Sequence, residues 1–88
     1  MERYSVKQGY VLREIAGEYL AVPSQNGGEI VILNPVSRVL WEELQEPKTL
    51  DELTAKITEM FDVEKDEARI DISQFLENLK NSGLAVSC

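Results

Sequence analysis

The chain has 88 residues, and its 9 basic and 16 acidic residues give a formal net charge of −7 at pH 7. A chain this short buries only about 60–65% of the surface that its unfolded form exposes, so we expect a single domain over residues 1–88 with a modest core at about 10–84. Acidic chains repel phosphate backbones and anionic membrane surfaces, which excludes nucleic acids and membranes as expected partners. The same charge also serves solubility.

The residue content argues against catalysis. The sequence holds no histidine, and its only cysteine is Cys88. Histidine-based acid–base catalysis, Cys–His nucleophile pairs and the usual zinc sites are therefore excluded, and we expect no enzyme activity, no cofactor and no metal. No internal disulfide can form, and no segment has the length and apolarity of a signal peptide or membrane span. We therefore expect a cytoplasmic protein, with Cys88 as a frayed terminal residue.

Three short β-strands are predicted in the first third of the chain, at residues 10–16, 18–23 and 29–33. Gly17 lies alone between the first two apolar runs, which predicts a tight hairpin or bulge. The polar, glycine-rich stretch SQNGG predicts the turn before the third strand. The three strands should form an antiparallel meander.

Three helices are predicted to follow. The Asn-Pro pair at 34–35 is a typical helix start, and Thr49 with Glu52 has the spacing of a capping box for the second helix. The third helix is expected over about residues 66–82, with Gly83 as its C′ glycine. A three-stranded antiparallel sheet followed by three helices predicts a winged-helix-like α+β fold. The final LAVS segment is either a short strand or an apolar tail.

The likeness to a winged helix suggests DNA binding, but the acidic charge of the predicted helices excludes it. Contact with phosphates needs a basic recognition helix or wing. Residues 64–80 instead hold three basic and five acidic side chains. Such a helix cannot lie against phosphates without a large electrostatic cost.

The third predicted strand, EIVIL, is apolar on both faces, whereas a strand lying on a small core usually alternates. Either this strand or the first must lie at the edge of a three-stranded meander. EIVIL carries no lysine or proline that would block pairing with another strand, and Glu29 is its only charged residue. Two interpretations stay open. The edge docks an extended peptide by strand addition, or helices and the other strands cover both faces.

An ordered set of motifs runs along most of the chain. Its parts are Leu33-Asn34, Trp41 with Leu44, Thr49-x-x-Glu52-Leu53, and Asp71-Ile72-x-x-Phe75-Leu76-x-x-Leu79-x-x-x-Gly83-Leu84. In this order, from about residue 10 to 84, they resemble the PqqD-like family, whose domains are also called RiPP recognition elements. The stretch QEPKT stands where the members that serve pyrroloquinoline quinone synthesis carry a Cys-Asp-Gly run, which favours a different peptide product.

The resemblance implies a non-enzymatic peptide chaperone. Members of the family bind the leader segment of a ribosomally made precursor peptide and present it to a modifying enzyme, often a radical SAM protein. The leader pairs with the third strand and lies in a groove bounded by the third helix. The implied peptide-binding residues are Glu29, Ile30, Val31, Ile32, Leu33, Arg69, Ser73, Leu76 and Lys80. Arg69 and Lys80 would serve as positive points for acidic leader side chains, although the sequence leaves open which flank of the third helix faces the groove.

The sequence is also compatible with two other functions. A structural or regulatory module could self-associate as a homodimer through the same strand edge. An enzyme subunit could contribute residues to a shared site, but the absence of histidine and of an internal cysteine argues against it.

Overall fold

A computed structural model describes residues 2–24 and 29–87 of the chain. The elements follow in chain order: β1 Arg3–Val6, β2 Tyr10–Ile15, β3 Glu18–Pro23, β4 Val31–Leu33, α1 Pro35–Glu43, β5 Lys48–Thr49, α2 Leu50–Met60, α3 Lys65–Asn81 and β6 Ala85–Ser87. The described residues thus hold three helices and two three-stranded antiparallel sheets. The predicted α+β class is confirmed, and the likeness to a winged helix stays a prediction.

The predicted meander is the sheet with strand order β2-β3-β4. Ala16 and Gly17 join β2 to β3 with positive φ angles of 54° and 84°. Two successive positive φ angles match the twist of the flanking strands, so the predicted tight hairpin is confirmed. The third strand is shorter than predicted, since Glu29 and Ile30 precede β4. The predicted SQNGG turn extends into residues 25–28, which lie outside the described residues, as does Cys88.

The second sheet has the order β5-β1-β6 and was largely missed by the sequence interpretation. Its strands come from distant parts of the chain: Arg3 pairs with Thr49, and Tyr4 pairs with Ser87. Strands of two to four residues carry too little alternation to be recognised alone, and their pairing is decided by residues more than forty positions away. Of the two interpretations of the LAVS segment, the short strand is confirmed.

The helix boundaries follow the predicted capping residues. The Asn34 side-chain oxygen accepts a hydrogen bond from the backbone N–H of Ser37 at 2.8 Å. In the capping box of α2, the backbone N–H of Thr49 donates to Glu52 at 2.9 Å, and that of Glu52 donates to the Thr49 hydroxyl at 3.1 Å. Helix α3 spans one residue more at its start and one fewer at its end than predicted. Gly83 follows it with a φ of 75°.

The helices and the meander share one core. Trp41 is only 2% exposed, and the Tyr10 ring of β2 lies edge-on to it at 5.7 Å between centroids. Trp41 thus packs in the core at the boundary between helix and sheet. Other core side chains come from all three helices: Leu40, Leu44, Leu53, Ile57, Ile72, Leu76 and Leu79.

Candidate functional site

Strand β4 forms one edge of the meander. Its three residues pair with β3 alone within the described part of the chain, in a register that places Tyr19 opposite Leu33 and Leu20 opposite Ile32. In an antiparallel pair, alternate backbone N–H and C=O groups point away from the partner strand. The outer side of β4 therefore presents hydrogen-bonding groups that no other described strand uses.

The two faces of β4 differ sharply in exposure. Leu33 is 3% exposed and belongs to the core, whereas Ile32 is 72% exposed and Ile30, just before the strand, is 61% exposed. The interpretation in which both faces are covered is therefore wrong for these two isoleucines.

The exposed face of the meander is largely apolar. Across the three strands, Ile32 of β4 lies opposite Leu20 of β3, and Leu20 lies opposite Arg13 of β2. The neighbouring pair on the same face is Val22 of β3 with Val11 of β2. Leu20 and Val22 are half-buried, and Val11 is 42% exposed. The edge at β4 thus borders an apolar surface.

A groove of about 330 Å³ opens beside the end of β4, between the start of α1 and one flank of α3. Its apolar lining includes Val36, Leu40 and Phe75. Its polar lining on α3 consists of Asp71, Gln74 and Asn78. An extended peptide paired with β4 would therefore continue over a surface with an apolar floor and a polar rim.

The charge of this groove comes from Asp71, the one ionisable residue among the described residues that line it. Asp71 is exposed, and within the described residues no salt bridge joins it to a lysine or arginine. Glu67, which is also exposed, lies four residues earlier and hence on the same flank of the helix.

The four predicted helix residues lie on the other side of α3. Ser73, Leu76 and Lys80 line a second pocket of about 320 Å³ together with Tyr4 and Leu50. Successive residues of a helix point about 100° apart, so Ser73 and Asp71 project about 200° apart. This second pocket therefore faces the sheet that contains β1, and not the edge at β4.

The contacts of these residues are local. Arg69 forms an ion pair and hydrogen bond with Asp51 at the start of α2, and this hydrogen bond holds the pKa of the Asp51 carboxyl below its usual value. The Lys80 ammonium lies 5.8 Å from the centre of the Tyr4 ring. Leu76 is 3% exposed and packs in the core. The structure thus brings Val31, Ile32 and Leu33 together in one edge strand and separates them from the predicted helix residues.

Sequence reasoning missed the groove residues Val36, Gln74 and Asn78. A periodic signal was present, because positions 71, 74, 75 and 78 recur at helical spacing. The same spacing describes the opposite flank equally well. The path of β4 relative to α3 decides between the flanks, and that path is a tertiary feature.

Two further properties concern the described residues as a whole. Across residues 2–24 and 29–87, no group of three or more histidine, cysteine, aspartate or glutamate side chains could hold a metal ion. No helix in that same part of the chain combines the length and apolarity needed to cross a membrane.

Comparison with known proteins gives a family and a fold. The family described as coenzyme PQQ synthesis protein D (PqqD) matches residues 10–85. No curated protein matches the chain in sequence. A solved structure of lasso peptide synthetase B1 complexed with the leader peptide superposes with a TM-score of 0.74 at 18% sequence identity. The match covers 94% of this chain and 96% of that one, so the two share a fold over nearly their whole lengths.

Proposed function

The chain belongs to the PqqD family, and from this membership and the free edge of β4 we propose that it is a non-catalytic accessory domain that binds the leader segment of a ribosomally made precursor peptide. The similar fold of lasso peptide synthetase B1, whose structure contains a leader peptide, supports the proposal. The domain presents the bound precursor to a modifying enzyme, for which we propose a radical SAM protein. We place this reaction in the cytoplasm.

The observation that carries the proposal is the exposed edge of β4 beside a groove. The leader adds a strand to Val31, Ile32 and Leu33, and its backbone uses the outward N–H and C=O groups of that strand. Glu29 and Ile30 extend the same surface ahead of β4. Backbone pairing gives affinity with little dependence on sequence, and pockets for alternate side chains give selectivity.

We propose that the leader continues along the flank of α3 that carries Asp71 and Gln74. This assignment differs from the sequence-based one, which used Arg69, Ser73, Leu76 and Lys80. The reason is position, because the groove with Asp71 adjoins the end of β4. On the other flank, Arg69 pairs with Asp51, Lys80 lies over Tyr4, and Leu76 is buried in the core.

The proposal is tested by titrating the isotope-labelled protein with the leader segment of a precursor encoded near it in its native host. Backbone amides of Val31, Ile32 and Leu33 should shift or broaden, and hydrogen exchange at this strand should slow. The opposite edge strand, Tyr10–Ile15, is the internal control, because it lies two strands away from the groove. Shifts confined to that strand or to the pocket around Tyr4 would show that the docking model is wrong.

A homodimer is the second candidate, favoured by the apolar face that borders the same edge. Two copies would pair their β4 strands and bury Ile32 at the dimer interface. Size-exclusion chromatography distinguishes the two functions. The N–H of Ile32 points away from β3, since the hairpin register directs the N–H groups of Val31 and Leu33 toward it. A dimer that persists in excess leader peptide and is lost in Ile32→Pro supports self-association, whereas a dimer that the peptide dissociates supports leader binding.

A further inference from the structure

We infer that Asp71 is a specificity-determining residue that selects a lysine or arginine in the bound peptide. The inference rests on the proposed function, because it concerns which peptides occupy the groove beside β4. It reverses the expectation from the sequence, in which Arg69 and Lys80 met acidic leader side chains.

The groove carries a negative charge. Within residues 2–24 and 29–87, Asp71 is its one ionisable lining residue, and no lysine or arginine lines it. Two cations of the adjoining helices have partners elsewhere. Arg69 pairs with Asp51, and Arg38 of α1 pairs with Glu42 at 3.3 Å. The groove therefore presents a negative charge without a cation of its own.

Arg38 and Lys80 are both placed by contacts with aromatic rings. The Arg38 guanidinium lies 4.6 Å from the centre of the Tyr19 ring, which holds it against the meander. Lys80 lies over Tyr4 at 5.8 Å, on the flank of α3 away from β4. Neither occupies the position that a peptide cation would take beside Asp71.

A docked peptide changes the surroundings of the Asp71 carboxylate. A peptide that covers Asp71 removes water from it, and a charge that loses hydration must gain a partner. A lysine or arginine of the peptide supplies a charge-assisted hydrogen bond, whereas an aspartate or glutamate adds repulsion. Asp71 therefore favours cationic peptides and disfavours acidic ones at that position.

Strand geometry then places the cation in the peptide sequence. Alternate side chains of a strand point to the same face. The apolar side chain that enters the groove beside Val36 and Phe75 and the cation that meets Asp71 must share the inward face. They are therefore separated by an even number of positions.

The test is a selection from a random 12-residue peptide library by mRNA display against the wild-type protein and two variants. Asp71→Asn removes the groove charge, and Glu77→Gln makes the same charge change on the opposite flank, where Glu77 lines the second pocket. Both side chains are exposed, so both variants should fold. Peptides selected by the wild type and by Glu77→Gln should be enriched in lysine or arginine at an even spacing from an apolar position. Those selected by Asp71→Asn should keep the apolar position and lose the cation.

A titration then measures the effect on one selected peptide and its lysine-to-glutamine twin. The wild type should bind the lysine peptide about two- to fivefold more tightly, as expected for an exposed ion pair, and the difference should shrink as salt rises. Asp71→Asn should bind both equally.

The outcomes separate this inference from the proposed function. Selected peptides that shift the amides of β4 but show no cation preference, or keep it in Asp71→Asn, overturn the role of Asp71 and leave leader binding intact. If no peptide is enriched, or if enriched peptides leave the β4 amides unshifted, leader binding at this edge is itself wrong.

Discussion

Replacing Ile32 with threonine should weaken peptide binding without weakening the fold. Ile32 is 72% exposed, so it contributes little to the core of the free protein. Threonine is also β-branched and suits a strand, which preserves the backbone preference of β4. We expect the free energy of unfolding to change by about 0.5 kcal/mol or less, as is usual for exposed positions.

The expected loss of affinity comes from the contacts that a docked strand makes with this side chain. A peptide strand paired with β4 places one residue directly beside Ile32 on the exposed face, with diagonal neighbours within reach of long side chains. Cross-strand pairs are worth about 0.2–1 kcal/mol each, and threonine retains part of the contact. A net loss of about 0.5–1 kcal/mol corresponds to roughly two- to fivefold weaker binding.

The assay is a calorimetric or fluorescence titration with the leader peptide, paired with a denaturant titration of each variant. Val11→Thr is the matched control, because Val11 is exposed on the same face but lies on β2, two strands from the edge. Equal losses of affinity in the two variants, or none in Ile32→Thr, would refute strand addition at β4.

Three further predictions concern the fold. Thr49→Ala removes the hydroxyl of the capping box and should lower the free energy of unfolding by about 1 kcal/mol, measured in urea against Thr58→Ala, whose hydroxyl bonds only within the helix. Ala16→Asn places a residue that tolerates the left-handed conformation at a φ of 54° and should raise the unfolding free energy by about 0.5–1 kcal/mol; an unchanged denaturation midpoint would contradict this. The Arg69 hydrogen bond lowers the pKa of Asp51, so its stabilising contribution is present above the ordinary aspartate pKa and is lost as pH falls through the lowered value. Asp51→Asn should therefore lose less stability than the wild type between neutral and strongly acidic pH, and identical pH profiles would rule out this contribution.

Most local features of the fold were predictable. The helix starts at Asn34 and Thr49, the glycine after α3 and the hairpin at Gly17 depend on residues no more than four positions apart. Such signals are complete within a short stretch of chain, because capping and turn geometry need only neighbouring backbone groups. The sheet of β1, β5 and β6 was not predictable in this way, since its strands are short and meet only when the chain has folded.

The candidate site was likewise predictable only in its local features. The sequence by itself determined that the stretch over residues 29–33 is apolar on both faces and forms the third strand of a meander, and its ordered motifs indicated the PqqD family. Tertiary structure alone decided that this strand is an edge with Ile32 exposed and that the groove beside it is bordered by Asp71. An amphipathic helix has one flank on each side of its buried stripe, and residues on both flanks recur at the same helical spacing. The spacing therefore cannot distinguish one flank from the other. The path of the chain from β4 into α1 distinguishes the two flanks of α3. It places the flank with Asp71 beside the strand edge where a peptide would dock.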